Sequence, residues 1–304
     1  MSEWDPEIVV HEELARRLIG DQFPALRVVS LGLLAEGWDN TVWLVNGDIV
    51  FRFPRRQVAI AGVEREIAIL PSLAPRLPAS IPVPVFIGRP TDAFAWPFFG
   101  SRLVPGRELA DADLTDEQRV VLAPELGRFL RALHGPDVLE ALGERLPVDP
   151  NRRADMALRV PMTRERIAEL ERAGLWSARP VPWLDAAESL PPFTPSAVTH
   201  GDFHVRHVLV DAEGTLASVI DWGDLGRSDP AIDLPLLWSA LPAHARPAFI
   251  DAYGSVDEAA LLRARVLAVF LTGTLALYAA AQGMPALERE SLAGLERSLR
   301  DSVP

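Results

Sequence analysis

The stretch Val198-Thr-His-Gly-Asp-Phe-His-Val-Arg-His-Val-Leu-Val-Asp211 decides the fold of this chain, together with Val219-Ile-Asp-Trp-Gly-Asp224 after it. Apolar runs alternate with turns, and two of the turns carry Asp202 and Asp221. Two carboxylates on loops between short buried strands suit phosphoryl transfer, in which one orients a hydroxyl and the other holds a metal ion. Hairpin turns also carry Asp and Gly for backbone reasons alone, so the remaining sequence must decide between these interpretations.

Composition excludes several kinds of chemistry. The 304 residues contain no cysteine and no lysine, which excludes disulfides, thiolate metal sites, cysteine nucleophiles and Schiff-base catalysis. All 30 basic residues are arginine, so arginine must make every contact of a basic side chain with phosphate. The net charge of −12 argues against a nucleic-acid partner, since binding phosphate backbones requires a positive surface. The part of the chain after Pro105 contains 30 acidic residues and 20 arginines. This excess of negative charge either attracts a cationic substrate or confers solubility.

Length and hydropathy favour a soluble, two-lobed protein with a ligand cleft. No uninterrupted apolar run reaches the roughly 20 residues that span a bilayer, and the first residues lack the features of a signal peptide. We therefore expect a cytoplasmic protein without a membrane partner, either a monomer or a homodimer.

The first third of the sequence predicts a small sheet. Short apolar runs between Leu26 and Phe53 are broken at residues 36–40 and at Asn46-Gly47, a strong hairpin signal. Arg52 alternates with two phenylalanines on a strand, and Glu66 lies on the helix that follows. From the pattern alone, Arg52 is either an exposed arginine or a cleft residue that Glu66 orients beside a phosphate.

The remaining sequence predicts a mainly helical lobe. A Pro-Gly connection near residues 101–106 marks the boundary between residues 1–103 and residues 104–304. Thr115 opens a long helix that ends at His134, which we interpret as a helix-end residue, and a long apolar helix covers residues 258–282. The segment 149–183, interrupted by prolines, forms either a lid over the substrate or ordinary surface helix.

Three motifs of the C-terminal part resemble the aminoglycoside phosphotransferase family, relatives of protein kinases that phosphorylate small-molecule hydroxyls. They are His200-Gly-Asp-Phe-His204-x-x-His207, Ile220-Asp-Trp-Gly-Asp224 and Asp229-Pro-x-x-Asp233. The order of the preceding segments agrees over nearly the whole chain. The resemblance implies an α+β, two-lobed protein-kinase-like fold, with a small antiparallel-sheet N-lobe for the nucleotide (residues 1–103). The larger, mainly helical C-lobe (residues 104–304) would hold the catalytic loop, the metal site and the acceptor.

The same resemblance implies roles for individual residues. Asp202 would be the catalytic aspartate that orients the substrate hydroxyl and accepts its proton, and Asp221 would bind the metal ion. The residues that would bind the nucleotide are Arg52, its brace Glu66, Trp38 and Asn40 of the loop before the second strand, and Ser101, Arg102 and Leu103 beside the base.

Two residues depart from the usual family pattern. Arg52 stands where most members have lysine; it keeps the charge but has a different fork geometry. His207 stands where most members have an asparagine that binds the second metal ion. Magnesium prefers oxygen ligands, so His207 would act through a water molecule or admit manganese. A histidine here also resembles the macrolide phosphotransferase branch, which favours GTP.

These motifs predict an ATP- or GTP-dependent O-phosphotransferase that uses Mg²⁺ or Mn²⁺ and acts on a small hydroxylated antibiotic. The acidic excess favours a cationic aminoglycoside, whereas Trp176, Trp183 and Trp238 favour an apolar macrolide. Two alternatives remain open at this point. One is a metabolic kinase for a sugar or an amino alcohol, and the other is a catalytically silent kinase-like protein that only binds nucleotide.

Overall fold

The computed structural model of the chain describes residues 6–37, 39–177 and 181–300. Residue contacts divide the chain into two compact units. Unit 1 comprises Met1–Pro75 and Ser80–Val104, and unit 2 comprises Arg76–Ala79 and Pro105–Pro304. The assignment of nucleotide binding to the first part and of acceptor binding to the second stays a prediction.

Unit 1 is built on a five-stranded antiparallel sheet with the strand order β1-β2-β3-β5-β4. Its strands are β1 (Leu31–Glu36), β2 (Asn40–Val45), β3 (Ile49–Pro54), β4 (Pro84–Gly88) and β5 (Phe98–Arg102), and its helices are α1 (Glu12–Gln22) and α2 (Ile60–Leu73). Asn46 and Gly47 have positive φ angles of 53° and 80°. They form the tight turn between β2 and β3, which confirms the predicted hairpin.

The core of unit 1 is a cluster of aromatic rings. Phe53 and Phe98 stack with ring centroids 4.6 Å apart, and Phe51 packs beside both. Because side chains alternate along a strand, Arg52 points to the opposite face of β3. There its guanidinium lies 2.7 Å from the Glu66 carboxylate of α2. Arg52 is only 8% exposed, so the interpretation as an exposed arginine is wrong.

Unit 2 is mainly helical. Its helices are α3 (Asp116–Leu133), α4 (Pro136–Leu142), α5 (Met156–Arg172), α6 (Trp183–Glu188), α7 (Pro235–Ser239), α8 (Arg246–Tyr253), α9 (Glu258–Gln282) and α10 (Pro285–Arg300). A capping box between Thr115 and Gln118 begins α3 as predicted. The expectation of a small antiparallel sheet followed by a larger helical part is confirmed.

Five short strands of unit 2 form two small sheets, with the orders β6-β8-β9 and β7-β10. They are β6 (Arg107–Glu108), β7 (Ala197–Thr199), β8 (Val208–Val210), β9 (Leu216–Val219) and β10 (Gly226–Ser228). The Val208–Val210 strand is fully buried, as the apolar run predicts. The connections between these strands carry the motifs of the opening stretch.

Helix α9 is long and apolar enough to cross a membrane by length and composition, with a mean hydropathy of 1.7 over its most apolar window. That window is 72% buried inside the protein, and the core helix of a soluble protein passes the same test. Arg263 and Arg265 near its start are buried and hydrogen-bonded to backbone carbonyls. The helix therefore gives only weak support for a membrane span.

The segment from residue 149 to residue 183 differs from its prediction. Pro161 lies inside α5 rather than ending a helix, because it occupies the second turn and removes only a single intrahelical hydrogen bond. Trp238 is fully buried, and the Arg265 guanidinium covers both Trp238 and Trp183 at 4.8 and 4.5 Å. Trp176 packs against the core of the same unit. These tryptophans serve the packing of unit 2, so they do not argue for an apolar acceptor.

Candidate active site

The ends of the short strands bring the predicted catalytic and metal-binding residues of unit 2 together. Strand β7 ends at Thr199 and leads directly into the turn of residues 200–202, and Asp221 follows the end of β9. The backbone N–H of Ile220 donates to the His207 carbonyl at 2.9 Å, which joins the two loops beyond the β8–β9 pairing. Asp202 and Asp221 consequently both lie close to His207.

A buried carboxylate fixes the backbone of the catalytic loop. Asp233 is fully buried, and it accepts hydrogen bonds from the backbone N–H groups of His200 at 2.6 Å and Gly201 at 2.9 Å. The Nε2 of His134 lies 3.1 Å from the same carboxylate, and its Nδ1 lies 2.8 Å from the hydroxyl of Tyr253. His134 is the C-terminal cap of α3, which confirms its interpretation as a helix-end residue.

Gly201 is required by two features of the loop. Its φ angle of 87° lies in the left-handed region that side chains disfavour. A Cβ atom at this position would also lie 2.4 Å from the carbonyl oxygen of Asp224. The close approach of these two backbones is what brings Asp224 next to the catalytic loop.

His200 couples the catalytic loop to the loop of Asp221. Its Nε2 lies 2.9 Å from the carbonyl oxygen of Ile220, and because a carbonyl only accepts, Nε2 carries the proton. Burial lowers the pKa of His200, which keeps the ring neutral, so Nδ1 accepts from the Asp202 N–H at 3.2 Å. Asp221 itself has a positive φ of 63°, an uncommon conformation for a residue other than glycine.

The Asp202 carboxylate is held in its charged form. Burial alone would raise its pKa, but the Arg153 guanidinium 2.9 Å away and the nearby His204 outweigh burial and lower the pKa well below its usual value. The side chain is still 23% exposed. Asp202 is therefore an ionised hydrogen-bond acceptor at neutral pH, as a residue that orients a hydroxyl must be.

His207 and Asp221 fit a divalent cation. The Nδ1 of His207 lies 2.8 Å from the carbonyl oxygen of Asp202 and must donate to it. Burial and the neighbouring His204 lower the pKa of His207, so the ring is neutral and its Nε2 carries a lone pair. That lone pair lies 3.4 Å from a carboxylate oxygen of Asp221. Two acceptors in this arrangement suit a divalent cation between them, and manganese accepts a nitrogen ligand more readily than magnesium does.

His204 is close to the same residues but is a weaker ligand candidate. The ligand atoms of Asp202, His204 and His207 lie within 4.8 Å of one another, and the two histidine rings stack at 3.9 Å. The Nδ1 of His204 accepts from the backbone N–H of Arg206 at 3.3 Å, so in the neutral ring Nε2 carries the proton. This N–H faces an Asp202 carboxylate oxygen at 3.4 Å. His204 is therefore arranged to donate to Asp202 rather than to bind a metal ion.

In unit 1, the residues predicted to bind the nucleotide have different surroundings. Arg52 and Glu66 form the buried ion pair described above. The Oδ1 of Asn40 is buried and has no hydrogen-bond partner among the residues that the structure describes. Trp38 lies outside the described residues.

The predicted base-binding residues end strand β5. Ser101 is buried, and the Arg102 side chain pairs with Asp48. Leu103 is 45% exposed, but its backbone N–H already donates to the Asp48 carbonyl at 2.8 Å. That N–H is consequently engaged, whereas the Leu103 side chain can pack against a base.

Three residues were not predicted from the sequence to belong to the site. Asp233 and His134 hold the catalytic loop, and Arg153 pairs with Asp202. Asp233 is the last residue of the Asp229-Pro-x-x-Asp233 motif, so the sequence did contain a signal for it. For Arg153 the sequence offers no signal, because it lies 49 residues before its partner in a segment without a recognisable motif.

Comparisons with known proteins identify the family of the chain. The model of the phosphotransferase enzyme family matches residues 30–267. Aminoglycoside 3'-phosphotransferase of Escherichia coli is 32% identical over 124 residues, which are 40% of this chain and 44% of that enzyme. The chain thus matches less than half the length of this curated relative.

Solved structures cover nearly the whole chain. The GDP and kanamycin complex of APH(2")-IIIa is 26% identical, with a TM-score of 0.68 over 93% of this chain and 97% of that one. Macrolide 2'-phosphotransferase MphH from Brachybacterium faecium is 22% identical, with a TM-score of 0.57 over 94% of this chain and 100% of that one. At 22% identity, the similarity to the macrolide 2'-phosphotransferase shows only that the two proteins share a fold. The predicted fold class is confirmed.

Proposed function

This chain belongs to the phosphotransferase enzyme family, and from that premise we propose that it transfers the γ-phosphate of ATP or GTP to a hydroxyl of a small antibiotic. The acceptor belongs to the aminoglycoside or the macrolide class. The reaction takes place in the cytoplasm, where nucleoside triphosphates are available. The solved relative with GDP and kanamycin supports a purine nucleotide as donor and an aminoglycoside as one acceptor to test first.

One observation carries the proposal. The His207 imidazole donates to the Asp202 backbone at 2.8 Å and turns its Nε2 toward Asp221 at 3.4 Å. A single side chain thereby links the candidate base to the candidate metal site. This joint arrangement is what phosphoryl transfer requires, since positioning and electrostatics supply most of the reduction of the barrier.

Asp202 performs the first chemical role. Its ionised carboxylate accepts a hydrogen bond from the acceptor hydroxyl and holds the oxygen in line with the γ-phosphorus. As the bond between the acceptor oxygen and phosphorus forms, the bond between the γ-phosphorus and the bridging oxygen breaks, and the nucleoside diphosphate leaves. The hydroxyl proton passes to Asp202, which releases it to solvent before the next turnover.

The remaining residues balance the negative charge of the phosphate groups. His207 and Asp221 would hold a divalent cation, which would supply positive charge to the phosphate oxygens when bound. Within unit 1, Arg52 offers a positive charge for a nucleotide phosphate, and Glu66 fixes the orientation of its guanidinium through the 2.7 Å ion pair. The imidazole ligand favours Mn²⁺ alongside Mg²⁺.

Neither charge nor apolar surface selects between the two acceptor classes. The candidate base does not present a bare acidic patch to a polycation, because Asp202 and Asp224 share the Arg153 cation. The Arg265 guanidinium covers a ring face of both Trp238 and Trp183. Both classes therefore belong in the test.

The test is a panel of aminoglycosides and macrolides incubated with the protein, ATP or GTP, and Mg²⁺ or Mn²⁺. We expect one compound to gain the mass of one phosphoryl group, with an equal amount of nucleoside diphosphate released. A metabolic kinase would instead phosphorylate sugars or amino alcohols run in parallel. A protein that binds nucleotide but phosphorylates nothing and hydrolyses nothing would refute the proposal.

A further inference from the structure

A single guanidinium nitrogen bridges two carboxylates at the catalytic loop. The Nη2 of Arg153 lies 2.9 Å from an oxygen of Asp202 and 2.5 Å from an oxygen of Asp224. The Arg153 side chain is only 15% exposed. The flanking Asp202 and Asp224 outweigh the opposing effect of burial and raise the pKa of Arg153, so the charge is permanent.

The loop that carries Arg153 is organised around its first residue. The Asp149 carboxylate accepts from the backbone N–H of Arg153 at 2.8 Å and from that of Ala154 at 2.9 Å. Asp149 and Arg152 both have positive φ angles, 35° and 50°, although neither is glycine. Such conformations persist only where surrounding contacts impose them, and they cluster at functional sites.

Two further arginines fix the same loop from outside. Arg159 of α5 donates to the carbonyls of Asn151 at 2.5 Å and Arg152 at 3.1 Å. Arg263 of α9 donates to the carbonyl of Ala154 at 2.6 Å. Side chains from two helices and a buried carboxylate thus hold the backbone on both sides of Arg153.

The two oxygens of Asp202 have different surroundings. Oδ1 is bound by Arg153, whereas Oδ2 faces the His204 N–H at 3.4 Å, too far for a strong hydrogen bond. The carboxylate is therefore clamped at one oxygen, and the other retains capacity to accept a further hydrogen bond. This division suits a base that must meet a hydroxyl in a single orientation.

We propose that Arg153 is a positioning residue that holds the Asp202 carboxylate, through the Asp202–Arg153–Asp224 bridge, so that Oδ2 receives the acceptor hydroxyl. The inference rests on the proposed phosphotransferase function, and it adds a residue to the site from outside the three motifs. Arg153 does not touch the transferred phosphate in this account. It acts only through the direction in which Asp202 points.

The experiment compares Arg153→Ala and Arg153→Lys with Arg152→Ala, using an acceptor identified by the panel. Arg152 is the matched control, since it precedes Arg153 in the same loop but its exposed side chain pairs with Asp155. For Arg153→Ala we expect kcat to fall by up to about 100-fold, because a small misplacement of a reacting group costs that much, with little change in the KM for nucleotide. Arg153→Lys keeps the charge and should retain part of kcat.

Chemical rescue separates positioning from a general loss of structure. Millimolar guanidinium chloride should restore part of the kcat of Arg153→Ala, whereas sodium chloride at equal ionic strength should not. An unchanged or raised kcat in Arg153→Ala would overturn the proposal, and so would an equal loss in Arg152→Ala. If Arg153→Ala does not fold, an Arg153→Lys variant that folds and shows its loss in a raised KM for nucleotide, with kcat unchanged, would overturn it as well. Wild-type protein that phosphorylates no compound refutes the proposed function instead, and the positioning role falls with it.

Discussion

Asp233 and His200 are joined by a 2.6 Å hydrogen bond from the backbone N–H of His200 to a carboxylate that is fully buried. The other oxygen of Asp233 accepts from the next N–H along the chain, that of Gly201, at 2.9 Å. A residue 33 positions later in the sequence thus determines the path of the catalytic loop. The final Asp of the third motif is in this respect a structural support of the first motif.

The first prediction concerns this support. Asp233→Ala leaves two buried backbone donors without an acceptor, and each costs about 1–3 kcal/mol, so the free energy of unfolding should fall by about 2–6 kcal/mol. Urea denaturation measures the change. Asp251→Ala, which removes an exposed carboxylate from α8, is the control and should have almost no effect. Equal stability of the two variants would show that the loop does not depend on Asp233.

Gly201 gives a second prediction. Gly201→Ala places a Cβ 2.4 Å from the Asp224 carbonyl oxygen, so the two loops must separate and the rate of phosphate transfer should drop steeply. Gly174→Ala is the matched control, because Gly174 has a similar φ of 70° but open space around it. Both variants carry the strain of a left-handed alanine, and only the first carries the clash. If both lose the same activity, strain rather than contact would explain the loss.

The ion pair of unit 1 gives a third prediction. Glu66 is fully buried, and removing one partner of a buried pair costs about 3–5 kcal/mol because it leaves an uncompensated charge. We therefore expect Glu66→Ala to reduce the free energy of unfolding by that amount and to raise the KM for nucleotide. Glu64→Ala, on the exposed side of the same helix, should change neither. A normal KM in a folded Glu66→Ala variant would remove Glu66 from the nucleotide site.

Much of this architecture could be predicted from local sequence. The Asn46-Gly47 turn, the capping box at Thr115 and the Val208–Val210 strand each depend on residues that are neighbours in the chain, and each is present in the structure. The remaining features could not be predicted, because they depend on contacts between residues that are distant in the sequence. Arg52 is buried only because Glu66 arrives from a different element. Arg153 meets Asp202 across 49 residues, and no periodicity or motif carries that information.

The acidic excess and the tryptophan content did not identify the class of acceptor, again because composition carries no information about tertiary contacts. Counting acidic residues gives an excess in unit 2, but the count does not show that Asp224 and Asp202 share an arginine. The number of tryptophans likewise does not show that Trp238 is fully buried. Charge and aromatic content describe a whole lobe, whereas substrate selection depends on the few side chains that line a site.

His207 gives a fourth prediction, on metal use. With an imidazole nitrogen as a ligand, the wild-type protein should transfer phosphate at least as fast with Mn²⁺ as with Mg²⁺. His207→Asn replaces the nitrogen by an amide oxygen, which should preserve or raise the rate with Mg²⁺ and lower the ratio of the Mn²⁺ rate to the Mg²⁺ rate. Initial rates across a titration of each ion measure this ratio. Complete loss of activity with both ions would show that the imidazole has a role beyond metal binding.

The most direct test of the central claim is single-turnover phosphate transfer by wild-type protein and by Asp202→Ala, each saturated with nucleotide and with the acceptor found in the panel. The account predicts a phosphorylated acceptor from the wild type and none above background from Asp202→Ala. Nucleotide should bind both proteins with the same Kd, because Arg52 and Glu66 are intact. Transfer by Asp202→Ala at a rate near that of the wild type would contradict the account, since the proton of the acceptor hydroxyl would then have another destination.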